Sequence, residues 1–307
     1  MSDEQEIDKR EYLNIPMYIV DAFTSKPFEG NPAAICLINY EMGLTSDEMQ
    51  KIAKEMNLSE TAFVTLTKGD FQSSPSFGLR WFTPTTEVSL CGHATLASAA
   101  VLFNEAGNQC EQIHFDSLSG ELTVERSQKD LITLNFPLNP PEPKNVKDFK
   151  ALLEVCVDDL SDIDEIQLSA TGKLLIRLKD SFRRDYLETM QPRTNEMIAS
   201  LPDGLVKGVG ITVKGSVENG SVDSEGNVYD FISRYFAPWL GIHEDPVTGS
   251  WHTVASAYWA KNLNKTNLYA RQCSQRGGDL WIKVLDTRVT LSGKAVVNLR
   301  GQFTIVK

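Results

Sequence analysis

The sequence lacks most of the features that mark specialised classes of protein. Its 307 residues hold five cysteines, an odd number without CxxC spacing, which argues against a zinc-ribbon ligand set or a secreted disulfide framework and favours a reducing cytoplasm. No P-loop, no strand-linked GxGxxG and no HExxH occurs, so nucleotide, dinucleotide and zinc-peptidase chemistry have no support. We therefore expect a protein that works without a cofactor and without a metal.

Positive charge is also scarce. There are 30 Lys and Arg residues against 41 Asp and Glu residues, a formal net charge of −11, whereas a nucleic-acid partner would require a basic face. The same negative field repels a small anionic substrate, so a carboxylate pocket would need local donors such as helix N-termini. Residues 1–16 are polar, without the apolar run of a signal peptide or membrane helix. We expect a flexible tail there, and no membrane or nucleic-acid partner.

The rest of the chain is rich in alternating apolar patterns, which are typical of strands with one buried face. Seven segments predict strands, at residues 17–21, 33–38, 60–66, 78–82, 121–125, 131–135 and 174–178. A helix is predicted from Thr45, whose capping box with Glu48 precedes helical apolar spacing, to about Asn57. At this length we expect an α+β protein of two packed lobes.

Two further segments, residues 93–106 and 251–260, are apolar on every side. Helices of this kind are normally buried, because no face of them suits water. A strand-rich chain with one such helix in each half predicts sheets wrapped around central helices.

The two halves of the chain also resemble each other. An Arg-aromatic-Phe-x-Pro motif at residues 80–84 precedes Cys-Gly-His at 91–93, and the same motif at 234–238 precedes Thr-Gly-Ser at 248–250. Aligning Gly92 with Gly249 also pairs Glu87 with Glu244. We interpret this as an internal duplication, with the proline-rich residues 137–143 as the linker; a chance match of common motifs is the alternative.

Each central helix opens with a glycine, in Gly92-His93 and in Gly249-Ser250. The free N–H groups and the positive dipole end of a helix N-terminus attract anions, and two opposed termini could hold a carboxylate. Gly92, Gly249 and Ser250 are therefore candidate substrate-binding residues. The alternative is that the glycines only relieve crowding where a strand turns into a helix.

The predicted strand at residues 60–66 begins with a carboxylate. The period of two places Glu60 on the same face as Ala62, Val64 and Leu66, which is the apolar face. A buried carboxyl group can give and take protons near neutral pH, although a Glu at a strand end can also turn towards solvent. Glu60 is a candidate catalytic acid/base.

His93 and Asp245, near the two helix starts, are further acid/base candidates, with helix capping as the alternative role for both. Cys91 precedes a helix N-terminus, where we expect its thiolate to be stabilised. A Cys91–His93 hydrolase pair is conceivable. However, side chains two residues apart at a helix start should diverge, and no third residue that would orient them is evident.

Four motifs follow one another along the chain: VDAFT with FEGNPAA within residues 20–34, NLSETAFV at 57–64, LCGHATLA at 90–97 and EDPVTGS at 244–250. In sequence and in order they resemble the PhzF-like family of phenazine-biosynthesis proteins, whose animal members described as MAWD-binding proteins are similar in size. With residues 272–278, the resemblance covers nearly the whole chain from Met17.

The resemblance implies the diaminopimelate epimerase-like fold, in which two similar lobes each roll a sheet around a central helix and the active site lies between them. It implies a first lobe at residues 17–128, completed by about residues 296–307, a second lobe at 129–295, and a homodimer. Glu60 matches the catalytic acid/base of the family, and His93, Asp245 and Ser250 match positions that line its active site. From the same motifs, Asn31 and Cys91 become candidate substrate-binding residues.

The implied reaction is a cofactor-free isomerisation, in which Glu60 moves a carbon-bound proton on a small carboxylated substrate. Epimerases of this fold use two thiols before the helix-start glycines, where this chain has Cys91 and Thr248, so a two-thiol racemase is not expected. Trp251 and His252 are bulky, and we expect them to alter the pocket. The alternative function is that of a protein-binding partner that keeps the fold without catalysis.

Overall fold

The computed structural model describes residues 12–127, 130–202 and 204–307. Its α-helices are α1 (Ser46–Met56), α2 (Gly92–Ala100), α3 (Lys150–Cys156), α4 (Arg184–Thr189), α5 (Thr194–Ser200) and α6 (Gly249–Leu263). Its strands are β1 (Tyr12–Ala22), β2 (Asn31–Asn39), β3 (Glu60–Leu66), β4 (Ser76–Phe82), β5 (Glu87–Val88), β6 (Gln112–Ser117), β7 (Gly120–Arg126), β8 (Ile132–Pro137), β9 (Glu142–Pro143), β10 (Ile163–Leu168), β11 (Lys173–Leu178), β12 (Gly208–Lys214), β13 (Phe231–Phe236), β14 (Asn267–Gln272), β15 (Gly278–Val284), β16 (Arg288–Gly293) and β17 (Ala295–Val306).

The seven predicted strand segments all overlap strands of the structure, and the predicted first helix is α1. Thr45 and Glu48 form its capping box, with Glu48 Oε2 accepting from Thr45 N at 2.8 Å and Thr45 Oγ1 accepting from Glu48 N at 3.2 Å. Asn57 ends α1 in the left-handed region, at φ 50°. None of the helices in the described ranges is long and apolar enough to cross a membrane.

The strands form one rolled sheet. Its neighbours follow the order β17-β1-β2-β3-β4-β6-β7-β8-β16-β15-β14-β13-β12-β11-β10-β9, and β5 pairs with β4. The antiparallel ladder between β8 and β16, from Ile132↔Gly293 to Pro137↔Arg288, joins the two halves. Both halves therefore share one continuous hydrogen-bonded frame.

The two halves repeat the same succession of pairings. In the first half β1–β2 is antiparallel, β2–β3 parallel, β3–β4 antiparallel, β4–β6 parallel, and β6–β7 and β7–β8 antiparallel. The same senses recur in order from β10–β11 to β15–β16. The helix α2 precedes β6, and α6 precedes the equivalent strand β14. The predicted internal duplication in an α+β fold is confirmed.

The helices α2 and α6 lie inside the rolled sheet halves. Every residue of α2 except Gly92 is buried, and one apolar cluster includes Leu96 of α2 and both Val254 and Trp259 of α6. This confirms the two predicted central helices, since a helix that is apolar all round gains most from complete burial. The α-helix of the first half is shorter than predicted, because its last turn, Val101–Glu105, is a π-helix.

The predicted N-terminal tail is partly wrong. Residues 1–11 lie outside the described residues, but residues 12–16 belong to β1, which pairs with β17 from Tyr12↔Val306 to Ala22↔Ala295. Ile15 in this stretch is fully buried, in an apolar cluster with side chains of α1. The pairing with β17 orders a segment whose polar composition alone predicted fraying. The division of the chain near residue 128 stays a prediction.

Candidate active site

The N-termini of α2 and α6 meet between the two halves. A Cβ built on Gly92 would lie 3.7 Å from the Cα of Gly249, and one built on Gly249 would lie 3.8 Å from the Cα of Gly92. The first intrahelical hydrogen bonds are donated by Thr95 and His252, so the earlier N–H groups of both helices have no partner within their helix. Two sets of donors and two positive dipole ends face one small region, which suits an anion.

Crowding does not explain the two glycines. Besides each other, the nearest heavy atoms to the built Cβ positions are a ring carbon of Phe136, 3.5 Å from that of Gly92, and a methyl carbon of Leu291, 3.9 Å from that of Gly249. These are ordinary contact distances. A methyl group would fit at either position, so relief of crowding does not account for the two glycines.

Glu60 begins β3 and points towards the start of α2. Its Oε2 lies 3.2 Å from Nε2 of His93, and the two side chains are only 12% and 7% exposed. The parallel pairing of β3 with β2, which places Glu60 beside Ala33, fixes its position. The inward direction predicted from the period of two is the direction observed, and it brings the two leading acid/base candidates into contact.

Cys91 lies on the other side of the imidazole ring. Its Sγ is 3.4 Å from Nδ1 of His93, so the expectation that these side chains diverge was wrong. Cys91 is the N-cap residue and is extended, at φ −143° and ψ 112°. An extended N-cap residue can turn its side chain back over the first helical turn, and that conformation produces the contact.

The thiol of Cys91 is not activated. Burial raises its pKa well above the ordinary value, and the nearby carboxylates of Glu60 and Asp245 raise it further, while the N–H of Ala94 acts in the opposite direction. The expected stabilisation of a thiolate by the helix end was therefore wrong, because desolvation and like charge outweigh it. A Cys91 hydrolase is not supported.

The imidazole ring of His93 contacts polar side chains at both nitrogens. Sγ of Cys91 lies beside Nδ1, and which atom of that pair donates depends on the tautomer of the ring. Nε2 lies 3.4 Å from Oγ of Ser59, whose own hydroxyl is 3.3 Å from the carbonyl of Pro32 and donates to it. Glu60 Oε2 is buried and has no aligned hydrogen bond among the described residues. That oxygen is available to accept a proton.

Asp245 lies in the loop before α6. Asn31 Nδ2 donates to its Oδ1 at 2.7 Å, and Thr248 Oγ1 donates to its Oδ2 at 2.6 Å. Burial raises the pKa of Asp245 and the charge of Glu60 adds to the rise, while His93 and the two hydrogen bonds oppose it. Asp245 can therefore hold a proton at a higher pH than an exposed Asp, which suits an acid in the same site.

Two polar side chains hold the Asp245 loop in place. Asn31 is fully buried, and its Nδ2 also donates to Val247 O at 2.9 Å. Its Oδ1 is buried and has no hydrogen-bond partner among the described residues, so its role as a substrate contact stays a prediction. Gln272, which the motifs did not single out, donates to Asp245 O and accepts from Thr248 N at 2.9 Å. Sequence alone gave no signal for this role beyond its place in the last matching segment.

The start of α6 separates into exposed and buried residues. Ser250, the duplication partner of His93, is exposed in the first turn. Trp251 and His252 are fully buried, and Trp251 Nε1 donates to Ser233 Oγ at 3.0 Å. Burial lowers the pKa of His252 to about 4. The expectation that these two bulky residues alter the pocket was wrong, because both side chains pack into the core.

A cavity of about 840 Å³ lies apart from these residues. Its walls come from the loop after β1 and from β14 and β15, and they include Lys26, Tyr269, Arg271 and Trp281. No candidate catalytic residue lines it. The candidate active site is therefore defined by the meeting of Glu60, His93 and the two helix starts, and it does not coincide with this cavity.

Comparison with solved structures identifies the fold. A hydroxyproline epimerase from Agrobacterium vitis superimposes with a TM-score of 0.55 at 10% identity, over 95% of this chain and 92% of that chain, a likeness of fold alone. A PhzF family protein from Enterococcus faecalis superimposes with a TM-score of 0.79 at 39% identity, over 95% and 99% of the two chains. The fold is the diaminopimelate epimerase-like fold.

Sequence comparison then gives the family. The family model described as phenazine biosynthesis-like protein, PhzC-PhzF, matches residues 20–301. A phenazine biosynthesis-like domain-containing protein of Bos taurus is 47% identical over 95% of this chain and 100% of its own. A protein of Pseudomonas aeruginosa that is named an uncharacterized isomerase is 38% identical over 94% of this chain and 98% of its own. The chain belongs to the phenazine biosynthesis-like family.

Proposed function

We propose that this protein is a cofactor-independent isomerase that moves a proton on a small carboxylated substrate between the two helix starts. The observation that carries the proposal is the position of Glu60. Its buried Oε2 lies 3.2 Å from His93 Nε2 and has no aligned hydrogen bond among the described residues. A carboxylate held inside a protein with a free oxygen is well suited to act as a base.

In this reaction Glu60 takes a proton from a carbon next to an activating group. The electron pair of the broken C–H bond delocalises into that group, and the protonated Glu60 then returns a proton to another carbon. The N–H groups at the starts of α2 and α6 stabilise the negative charge that develops. His93, which contacts Cys91 and Ser59, places its Nε2 atom beside Glu60. Exclusion of water strengthens these interactions.

A carboxylated substrate is proposed because of the two opposed helix N-termini. A chain with a net charge of −11 must attract such a ligand locally, and backbone donors do so without adding a positive side chain. Asp245 completes the site as a second group able to hold a proton. The Pseudomonas relative named an isomerase supports the reaction class.

A substrate screen tests the proposal. Wild-type protein is incubated in D2O with small hydroxy, amino and cyclic dienyl carboxylic acids, including dihydro-hydroxyanthranilate, and carbon-bound hydrogens are followed by NMR. We expect isomer formation or deuterium uptake with at least one acid and a loss of about 10²-fold or more in Glu60→Gln. The control is Glu121→Gln, because Glu121 Oε1 also lies 3.2 Å from a histidine nitrogen, that of His114, but on the surface. Silence across the screen would favour the alternative role of protein-binding partner.

We also propose that the protein is a homodimer, as the family resemblance implies. Support comes from β17, the last strand at one end of the sheet, where Leu299 and Val306 are 46% and 49% exposed. Light scattering after gel filtration should give twice the mass of the chain, and Leu299→Lys should lower it. A monomeric mass for the wild type would contradict this assembly.

A further inference from the structure

We infer that Glu60, Cys91 and His93 form a binding site for a thiophilic divalent cation such as Zn²⁺. The site does not depend on the proposed reaction, which needs no metal. Each of the three residues offers one ligand atom, and these atoms all lie within 4.8 Å of one another. A thiolate, an imidazole nitrogen and a carboxylate oxygen are the three ligand types that zinc takes in proteins.

The spacing suits a tetrahedral ion after a small rearrangement. With metal–ligand bonds of about 2.0–2.3 Å, neighbouring ligand atoms around zinc lie about 3.3–3.8 Å apart. Glu60 Oε2 and His93 Nε2 are already 3.2 Å apart. Cys91 Sγ now contacts the opposite nitrogen, Nδ1, so the thiol has to turn away from Nδ1 for all three atoms to meet one ion.

The charges around the thiol favour a cation. Glu60 places a carboxylate oxygen within 4.8 Å of the ligand atoms of Cys91 and His93, and a negative group at that distance attracts a divalent ion. The ion binds the thiolate and displaces the thiol proton to solvent. In addition, the unpartnered Oε2 of Glu60 gains a ligand bond in place of a missing hydrogen bond. One proton is released for each ion bound, and no oxidation or reduction occurs.

Occupation of this site would withdraw Glu60 from any proton transfer. An ion held by Oε2 competes for the lone pair that would accept a substrate proton, so binding of the cation and catalysis exclude each other. This consequence alone rests on the proposed function. The binding itself can be measured in the absence of any substrate.

Binding of Co²⁺, which can be followed by absorption spectroscopy, tests this metal site. Metal-free protein in a non-thiol reductant is titrated with Co²⁺, and the near-ultraviolet thiolate-to-cobalt charge-transfer band is recorded before Zn²⁺ is added. We expect the band to saturate at one equivalent and to be lost on addition of zinc. Cys91→Ser should abolish it, and Glu60→Gln should weaken cobalt binding by about tenfold or more.

Two control variants separate this site from surface binding. Cys110→Ser removes a half-buried free thiol elsewhere, and His114→Asn removes a histidine that lies 3.2 Å from a carboxylate with no thiol in the contact; both should keep the band. If Cys91→Ser does not fold, zinc should still slow alkylation of Cys91, but not of Cys110, in the wild type.

Absence of the charge-transfer band, or its loss with Cys110→Ser, would overturn the inference. An active enzyme without the band would refute the metal site alone, and an inactive protein with it would refute the proposed function alone.

Discussion

Asn31 in β2 donates a 2.7 Å hydrogen bond to Asp245, which lies 214 residues further along the chain. The bond joins the first half of the sheet to the loop that precedes α6. The carboxyl of Asp245, the candidate active-site group from the second half, is thus held by the first half. The site exists only when both copies of the duplicated unit are assembled.

Substitution of Asn31 should affect stability and activity together. Asn31→Ala removes the donor to Oδ1 of Asp245 and to Val247 O, so we expect a loss of about 1–3 kcal/mol in the free energy of unfolding. Displacement of Asp245 should lower kcat/KM by about 10²-fold. Asn31→Asp should be worse in both measurements, because it places a second carboxylate against Asp245. Urea unfolding and steady-state kinetics check this, and equal effects of the two variants would refute the assigned contact.

The duplicated Arg–Glu pairs allow a matched comparison. Arg80 binds Glu87 through two hydrogen bonds of 2.7 and 2.8 Å, and Arg234 binds Glu244 through two of 2.6 and 2.7 Å. The arginine side chains differ in exposure, 33% for Arg80 and 7% for Arg234. Glu244→Ala leaves a buried charge and should cost about 3–5 kcal/mol, whereas Glu87→Ala should cost about 1 kcal/mol.

Chemical denaturation of the two variants measures this difference directly. Arg234 would retain the carbonyl oxygens of Leu187 and Met190 as acceptors, and these soften the loss without neutralising the charge. A smaller destabilisation by Glu244→Ala than by Glu87→Ala would contradict the ranking.

Substitution of either helix-start glycine by alanine should leave folding nearly unchanged but weaken substrate binding. Both Gly92→Ala and Gly249→Ala add a methyl group at ordinary contact distances, so the free energy of unfolding should change by no more than about 1 kcal/mol. The added methyl lies at the helix starts, where the substrate is proposed to bind, and KM should rise about tenfold, a loss of about 1.4 kcal/mol. An unchanged KM in both variants would place the substrate elsewhere.

The buried thiols predict a loss of stability at alkaline pH. Burial raises the pKa of Cys91, Cys36, Cys156 and Cys273 above the ordinary value of 9.0, in the case of Cys273 to about 12. Above pH 9 the unfolded chain releases these protons and the folded chain keeps them. The free energy of unfolding should therefore fall as pH rises, by about 1.4 kcal/mol per pH unit for each thiol. Cys91→Ala should reduce the dependence of the unfolding free energy on pH by the contribution of one thiol. An unchanged pH dependence would contradict the burial assigned to Cys91.

Thiol alkylation at neutral pH gives a second view of the same groups. Cys110 is half-buried, whereas the other four cysteines are buried, so iodoacetamide should label Cys110 first. Peptide mapping by mass spectrometry would show the order. Rapid labelling of Cys91 would revive the nucleophile hypothesis that its raised pKa opposes.

Local sequence patterns predicted the elements that carry the site. The strand at residues 60–66 and the inward direction of Glu60 follow from a period of two, and the capping box predicted α1. The duplication is readable because the glycine and arginine motifs recur in the same order. Each of these signals depends on residues close together in the chain, where backbone geometry dictates the outcome.

The contacts between side chains could not be read in this way. The meeting of Cys91 with His93 depends on the extended conformation of one N-cap residue, and the roles of Asn31 and Gln272 depend on the docking of one half against the other. Trp251 is likewise buried by packing in the core, where its indole N–H donates to Ser233 Oγ. Such relationships arise from long-range packing, which the spacing of residues does not specify.

The most direct test of proton transfer by Glu60 compares Glu60→Gln with Glu121→Gln on whichever carboxylic acid the wild type isomerises. Both substitutions remove one carboxylate beside a histidine and preserve side-chain size. Glu60→Gln should lower kcat by about 10²–10⁴-fold with little change in substrate affinity, and Glu121→Gln should match the wild type. Turnover by Glu60→Gln at the wild-type rate would show that another group moves the proton.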